Sequence, residues 1–164
     1  MYRECSEEEF NQKYYLYYKE LFRVAYGYVN NRDDAEDILQ NVFIKFLKYY
    51  NTFENLNHEK YWLIRVTINE SLSLIRKRKN SRFECNSELF DNLPDSSSNS
   101  TENYDALRKC INSLPNKEKT IIVLYYYNSC SVEEIAHSIK LHPKSVYRLL
   151  RKARSKIKLM MEDK

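Results

Sequence analysis

Glycine is almost missing from this chain. Its 164 residues include one glycine, Gly27, and three prolines. Folds rich in β-structure need frequent tight reversals of the chain, and such reversals usually require glycine. Long stretches without a turn signal favour helices instead. The sequence therefore predicts an all-α fold.

The chain also lacks a long apolar run. Its mean hydropathy is −0.72, and no apolar stretch approaches the roughly 20 residues that span a bilayer. The N-terminal stretch CSEEEF is acidic and lacks the apolar segment of a signal peptide. We therefore expect a cytoplasmic protein without membrane insertion.

Motifs for catalysis and metal binding are missing as well. There is no P-loop, no G-x-S-x-G and no H-E-x-x-H. The cysteines form no C-x-x-C pair and have no histidine at metal spacing, so we expect free thiols. These cysteines are Cys5, Cys85, Cys110 and Cys130. The histidines, which are His58, His137 and His142, lie apart in the sequence. We predict no catalytic residue, no metal, no cofactor and no enzymatic activity.

Positive charge is concentrated toward the C-terminus. Residues 1–83 carry 14 Lys+Arg and 12 Asp+Glu, or +2, whereas residues 104–164 carry 13 and 6, or +7. Between residues 140 and 158 there are eight cations and no acidic residue. A polyanion is the natural partner of such a stretch.

Residues 84–103, ECNSELFDNLPDSSSNSTEN, have no cation and five acidic residues. Few of them are large and apolar, so the segment is predicted to be a flexible acidic linker. Fully stretched, it would reach roughly 65 Å. We expect two small helical domains, 1–83 and 104–164, that act at separate places on one DNA.

Three helices are predicted before the linker, at about residues 6–29, 32–50 and 58–80. The second has two adjacent apolar rows that form a broad stripe, and it begins with acidic residues that favour the positive end of the helix dipole. The rows are Ile38, Val42, Phe46 and Tyr50, and Leu39, Phe43 and Leu47. Asp37, Gln40 and Asn41 project from the side opposite the apolar rows. These three residues can be explained by the dipole and by solvation, or they form a docking site for a partner.

The third predicted helix has two faces. One is an apolar stripe of Ile64, Ile68, Leu72 and Ile75, and the second holds an indole, a guanidinium and an amide. The residues of this second face are Trp62, Arg65, Asn69 and Arg76. Either Trp62 covers a small core while Arg65 extends to solvent, or the face binds unstacked bases.

The surroundings of the second face suit DNA. The cations that end the third helix would attract a phosphate backbone, and they are Arg76, Lys77, Arg78 and Lys79. Asn55 and Asn57 would supply polar groups at the helix entrance.

Residues 131–158 have the pattern of a helix-turn-helix. Ser131 and Glu134 form a capping box, and Pro143 suits the first position of the next helix. Lys140 occupies the turn position that glycine often takes. The early residues of the second helix would read base edges, and they are Lys144, Ser145, Tyr147 and Arg148. The later cations, which are Arg151, Lys152 and Arg154, would meet phosphates.

Four segments together resemble the extracytoplasmic-function class of bacterial RNA polymerase sigma factors. They are DAEDILQNVF (34–43), YWLIRVTINESLSLIRKRK (61–79), SLPNKEKTIIVLYY (113–126) and SVEEIAHSIKLHPKSVYRLLRKARSKIK (131–158). Their order and spacing fit that class over essentially the whole chain. The resemblance implies core polymerase, contacted through the β′ clamp and the β flap, promoter DNA and an anti-sigma factor as partners.

The resemblance also implies residue roles. Asp37, Gln40 and Asn41 would contact the β′ clamp, although an acidic residue is common at the position of Asn41. Residues 53–58, His58 included, and the next helix would melt and read the minus-ten element with Tyr61, Trp62, Arg65 and Asn69. The helix from Pro143 onward would read the minus-35 element. A helix-turn-helix regulator that does not bind polymerase is the alternative function, but it leaves the Trp62 face unused.

Overall fold

The structure, a computed structural model, describes residues 4–84 and 101–163, and all regular structure in those ranges is helical. The helices are α1 (Glu7–Val29), α2 (Arg32–Tyr49), α3 (Leu56–Glu84), α4 (Thr101–Ser113), α5 (Asn116–Ile122), α6 (Val132–Ile139) and α7 (Pro143–Glu162). A 3₁₀ turn, Tyr50–Thr52, follows α2, and a π-helical turn, Val123–Tyr127, follows α5. We call α1–α3 the first domain and α4–α7 the second domain, so the predicted two-domain, all-α fold is confirmed.

The predicted linker lies mostly outside the described residues, and so does Cys85. Helix α3 extends to Glu84 and α4 begins at Thr101, so the helices cover the first residue and the last three residues of the segment 84–103. Among the helices of the described part of the chain, none is long and apolar enough to cross a membrane.

The helix ends follow from side chains that satisfy free backbone groups. Ser6 caps α1 by accepting a hydrogen bond from the Glu9 backbone at 3.1 Å, and the Glu9 carboxylate accepts from the Ser6 backbone at 3.1 Å. Asn30 then ends α1 in the left-handed conformation, with φ of 54°. Asn31 caps α2 by accepting from the Asp34 backbone at 3.1 Å. Two asparagines therefore set the sharp turn between α1 and α2.

The apolar rows predicted for α2 and α3 build the first core. Val42 and Phe46 of α2 and Ile64 of α3 are buried completely, while Leu72 and Ile75 of the predicted α3 stripe are half-buried. Leu47, predicted in the α2 stripe, is instead 46% exposed. The core therefore uses a narrower face of α2 than the sequence pattern indicated.

The second core forms where α5, α6 and α7 meet. Ile121, Ile135, Val146 and Ala153 are fully buried there. The carboxylate of Glu118 is buried beside them and pairs with Lys156 at 3.0 Å. Burial of a charged group requires such a partner.

The two domains pack against each other, which our expectation of separate bundles did not include. Their buried apolar side chains form one continuous cluster. Helix α1 meets the π-helical turn, and α3 meets α6. Trp62 and Arg65 are half-buried in this arrangement and are not sealed inside it.

Candidate functional site

Helix α3 begins at Leu56, two residues earlier than predicted, so Asn57 and His58 lie in its first turn and only Asn55 of the predicted DNA-binding residues precedes it. The Asn55 side chain accepts a hydrogen bond from the His58 backbone at 2.9 Å, as an N-cap residue does. The His58 Nδ1 atom accepts from the Glu54 backbone at 3.2 Å. Asn55, Asn57 and His58 are all exposed. A nucleic acid would therefore meet a helix entrance whose shape these two hydrogen bonds fix.

Trp62 belongs partly to the core. Its ring lies 5.2 Å from that of Phe53 and 5.6 Å from that of Tyr49. It packs against the buried cluster and remains half-buried. The indole is thereby held in place on one side, and the accessible part of its surface remains available for stacking.

Tyr61 and Arg65 contact the second domain. The ring of Tyr61 stacks on His137 with centroids 5.4 Å apart and an interplanar angle of 10°. The Arg65 Nε atom donates a hydrogen bond to the Ser138 carbonyl oxygen at 3.0 Å. Asn69, one helical turn beyond Arg65, is exposed. The second face of α3 is thus divided between a covered part and an open part.

The cations that end α3 also differ from one another. Arg76, Lys77 and Lys79 are exposed. Arg78 donates a hydrogen bond from Nη2 to the Asp34 carboxylate at 2.6 Å, which joins α3 to the first turn of α2. Arg78 therefore has a structural role beside any contact with phosphates.

An aromatic groove adjoins the predicted polymerase contact on α2. Asp37, Gln40 and Asn41 are exposed, as expected. Gln40 also lines a groove of about 450 Å³ together with apolar side chains of α1 and α2. These side chains are Phe10, Tyr14, Tyr18, Leu39, Phe43, Ile44 and Leu47. The sequence analysis missed this surface, although the unusual width of the α2 stripe was a signal for it.

The helix-turn-helix is formed as the sequence predicted. Ser131 accepts from the Glu134 backbone at 3.1 Å, and the Glu134 carboxylate accepts from the Ser131 backbone at 2.9 Å. Lys140 ends α6 with φ of 55°, a left-handed conformation. His142 caps α7 by accepting from the Lys144 backbone at 3.2 Å, and Pro143 starts the helix.

Helix α7 separates its buried side from its charged side. Val146, Leu150 and Ala153 are buried at helical spacing. The predicted DNA-contacting residues lie elsewhere on the helix, where Ser145 is half-buried and the others are exposed. The exposed ones are Lys144, Tyr147, Arg148, Arg151, Lys152 and Arg154. This is the arrangement that a helix needs to enter a major groove.

Two of the late cations of α7 are held by partners that the sequence analysis missed. The Arg154 Nε atom donates to the Tyr126 hydroxyl at 2.6 Å, and its guanidinium lies 5.2 Å from the Tyr125 ring centroid. The hydrogen bond with Tyr126 raises the pKa of Arg154. Lys152 lies 3.9 Å from the Glu118 carboxylate. The repeated tyrosines at 125–127 were the available signal, since a tyrosine near an arginine often stacks on it.

Comparison with known proteins settles the family. A model described as Sigma-70 region 2 matches residues 14–81, and one described as Sigma-70, region 4 matches residues 104–157. The chain is 30% identical over 118 residues to the RNA polymerase sigma factor SigV of Bacillus subtilis (strain 168), covering 72% of this chain and 70% of SigV. It is 26% identical over 174 residues to the ECF RNA polymerase sigma factor SigX of the same organism, covering 96% of this chain and 88% of SigX. The chain belongs to the extracytoplasmic-function class of RNA polymerase sigma factors.

Two solved structures share the fold of this sigma factor. One is the structure of CnrH in complex with the cytosolic domain of CnrY, with a TM-score of 0.72, 19% identity, and coverage of 96% of this chain and 90% of that chain. The other is the co-crystal structure of the sigma factor RpoE with the anti-sigma factor NepR from Bartonella quintana. Its TM-score is 0.68 at 22% identity, over 94% of this chain and 98% of that chain.

Membership in this class defines the function. The protein binds core RNA polymerase and directs promoter recognition and transcription initiation. Its two matched regions coincide with the two domains of the structure. The helix-turn-helix regulator without polymerase, our alternative from the sequence, leaves the match over residues 14–81 unexplained.

Proposed function

We propose that the first domain, within residues 1–83, holds the β′ clamp of core polymerase through α2 and reads the minus-ten element with α3. The second domain, within residues 104–164, reads the minus-35 element with α7. The linker, 84–103, spans the distance between them. The observation that carries this proposal is the exposed, cationic side of α7, beside an apolar side that buries Val146, Leu150 and Ala153.

The proposed mechanism is recognition without chemistry by this chain. The clamp contact brings the protein to polymerase, α7 places it on duplex DNA, and α3 captures unpaired bases. Flipping a base out of the stack costs a few kcal/mol, which contacts with the first domain must offset. We infer that the protein is not an enzyme and that it acts in the cytoplasm, where polymerase and promoter DNA are found.

The clamp contact is supported by the exposure of Asp37, Gln40 and Asn41 beside the aromatic groove. A carboxylate, two amides and exposed apolar side chains form the mixed surface that protein interfaces use. The β flap is a second proposed contact on polymerase, through the second domain.

We also propose that an anti-sigma factor regulates this protein. Two proteins with the same fold, CnrH and RpoE, were each solved with a second protein bound, and NepR is named an anti-sigma factor. Co-purification of the chain from its own cells, followed by identification of the bound proteins, tests this proposal. Recovery of polymerase subunits alone would contradict it.

A run-off transcription assay with core polymerase tests the polymerase contact. We expect promoter-dependent transcripts from the wild-type chain and none from the double variant Asp37→Arg with Gln40→Ala. Lys48→Ala, at an exposed site toward the end of α2, is the matched control and should transcribe normally. Circular dichroism should show equal helix content in all three proteins. Normal transcription by the double variant would overturn the assignment of the clamp surface.

A further inference from the structure

The cationic stretch between residues 140 and 158 meets a negative charge when the chain folds. The stretch contains no acidic residue of its own. Helix α5 places the carboxylate of Glu118 against α7, and the side chain of this glutamate is only 4% exposed. Glu118 is therefore a buried ionisable group beside the proposed DNA-binding helix, and the proposed function does not use it.

Two lysines of α7 face this carboxylate. The Lys156 Nζ atom donates a hydrogen bond to Oε1 of Glu118 at 3.0 Å and lies 3.0 Å from Oε2. Lys152, about one helical turn earlier, has its Nζ atom 3.9 Å from Oε1. The side chain of Lys156 is 38% exposed and that of Lys152 is 62% exposed. A phosphate that approaches either lysine would therefore compete with a buried carboxylate for the ammonium group.

Arg154 of the same helix is held in a different way. Its partners are the Tyr126 hydroxyl and the Tyr125 ring, which are neutral groups. These contacts fix the position of the guanidinium without cancelling its charge, so the full charge is available to a phosphate. Glu118 thus neutralises one selected part of the cationic surface of α7.

The pair between Glu118 and Lys156 resists exchange with DNA. If the Lys156 ammonium group moved to a phosphate, Glu118 would stay behind as a charge with almost no access to water. A buried charge that loses its partner destabilises a protein strongly, whereas an exposed pair exchanges at little cost. We therefore expect Lys156 to remain mostly with Glu118 when DNA lies against α7.

We propose that Glu118 is a positioning residue that restrains the attraction of α7 for DNA phosphates, by holding Lys156 and partly neutralising Lys152. This inference rests on the proposed function of α7 as the duplex-reading helix. Phosphate contacts carry no sequence information, and they supply essentially all of non-specific binding. Because a genome offers very many non-specific sites, weaker phosphate attraction leaves more of the protein free to bind polymerase.

Glu118→Gln tests the inference in the full-length chain. The amide keeps the shape of the side chain and can still accept a hydrogen bond from Lys156, but it has no charge. Fluorescence anisotropy with a short labelled duplex of arbitrary sequence measures affinity between about 50 and 200 mM salt. We expect the slope of log affinity against log salt concentration to steepen by about one, which makes binding about eightfold tighter at about 0.1 M salt.

Glu162→Gln is the matched control. It also removes one carboxylate and changes the net charge equally, but Glu162 is exposed at the C-terminal end of α7. An exposed charge is screened by salt, so we expect an unchanged slope and a change in affinity of less than about twofold. Equal effects of Glu118→Gln and Glu162→Gln would mean that net charge alone sets the affinity, and they would overturn the inference.

A second variant separates the restraint from a merely structural ion pair and does not depend on Glu118→Gln. Lys156→Gln should reduce the salt slope clearly less than Lys158→Ala does, because Glu118 already withholds Lys156 from phosphate. In the Glu118→Gln background, Lys156→Gln should reduce the slope by more than it does in the wild-type chain. Circular dichroism verifies that each variant keeps its helix content.

The outcomes distinguish this inference from the proposed function. An unchanged salt slope in a folded Glu118→Gln variant overturns the inference, and so does an equal loss of slope from Lys156→Gln and Lys158→Ala. If Arg148→Ala or Arg151→Ala still weakens duplex binding in that case, α7 binds DNA and only the restraint is wrong. If neither substitution weakens duplex binding, the proposed function of α7 fails, and the inference fails with it.

Discussion

In the second domain, the residues with which α7 packs and those proposed to contact DNA are two separate sets, whereas in the first domain the residues of α3 proposed to bind DNA also take part in packing. Val146, Leu150 and Ala153 are buried, and Arg148 and Arg151 beside them are exposed. On α3, Trp62 packs against Phe53, and Arg65 bonds to the second domain. A duplex-reading helix can stay permanently exposed, but a site for unpaired bases needs rigid aromatic support.

Removal of an aromatic side chain from α3 and from α7 should reveal the difference between the two helices most strongly, as a difference in stability. We expect Trp62→Ala to lower the free energy of unfolding by about 2 kcal/mol, because the half-buried indole packs against the core. Tyr147→Ala, on the exposed side of α7, should change it by less than about 0.5 kcal/mol. Urea denaturation followed by circular dichroism measures both. Equal losses would mean that the two helices do not differ in this way.

Base readout by α7 should be separable from attraction to phosphate. We expect Arg148→Ala to weaken duplex binding with a changed base preference, worth about 1 to 2 kcal/mol at one base pair. Lys158→Ala should weaken binding to all sequences equally. It should also reduce the slope of log affinity against log salt concentration by about one.

Lys158 is a cleaner control than Lys156, which pairs with the buried Glu118. Removal of Lys156 would weaken the fold as well as the DNA contact. Duplex titrations with a set of substituted sites, at several salt concentrations, measure both effects. A uniform loss for Arg148→Ala would contradict base reading at this position.

The turns within the two domains also differ. Asn30 takes the left-handed conformation after α1, and Lys140 takes it after α6. Asparagine adopts this conformation readily, whereas lysine does so at a cost of about 1 kcal/mol. We therefore expect Lys140→Gly to raise the thermal midpoint and to stabilise the protein by up to about 1 kcal/mol. Asn30→Gly should stabilise the protein less. Equal stabilisation by the two substitutions would contradict the proposed difference between the two turns.

Local features of the fold were predictable because their causes lie within a few residues. The capping box of Ser131 and Glu134 and the position of Pro143 at the start of α7 could be read from residue spacing alone. The same spacing predicted the buried positions of α2, although it also included Leu47, which is exposed. The place of Lys140 in the turn was predictable, but whether the turn would change or Lys140 would take the left-handed conformation was not. The exposure of the predicted α7 residues followed from the same periodicity.

Contacts between distant parts of the chain were not predictable in this way. Gly27 meets Val123, and Arg65 meets Ser138, through the packing of two domains. The hydrogen bond between Arg154 and Tyr126 depends on the angle between α7 and the π-helical turn. A single sequence records which residues are present but not how two helical surfaces align. The roles of the candidate site residues stay predictions for the same reason.

Trp62 is the only tryptophan among 15 tyrosines, and it lies at the proposed strand site, 5.6 Å from the ring of Tyr49. Tryptophan fluorescence of this protein therefore comes from the proposed strand site alone. Excitation energy absorbed by neighbouring tyrosines can pass to the indole, and a base stacked on the indole would quench its light. If α3 captures strand as proposed, the fluorescence of Trp62 would report it without an attached dye.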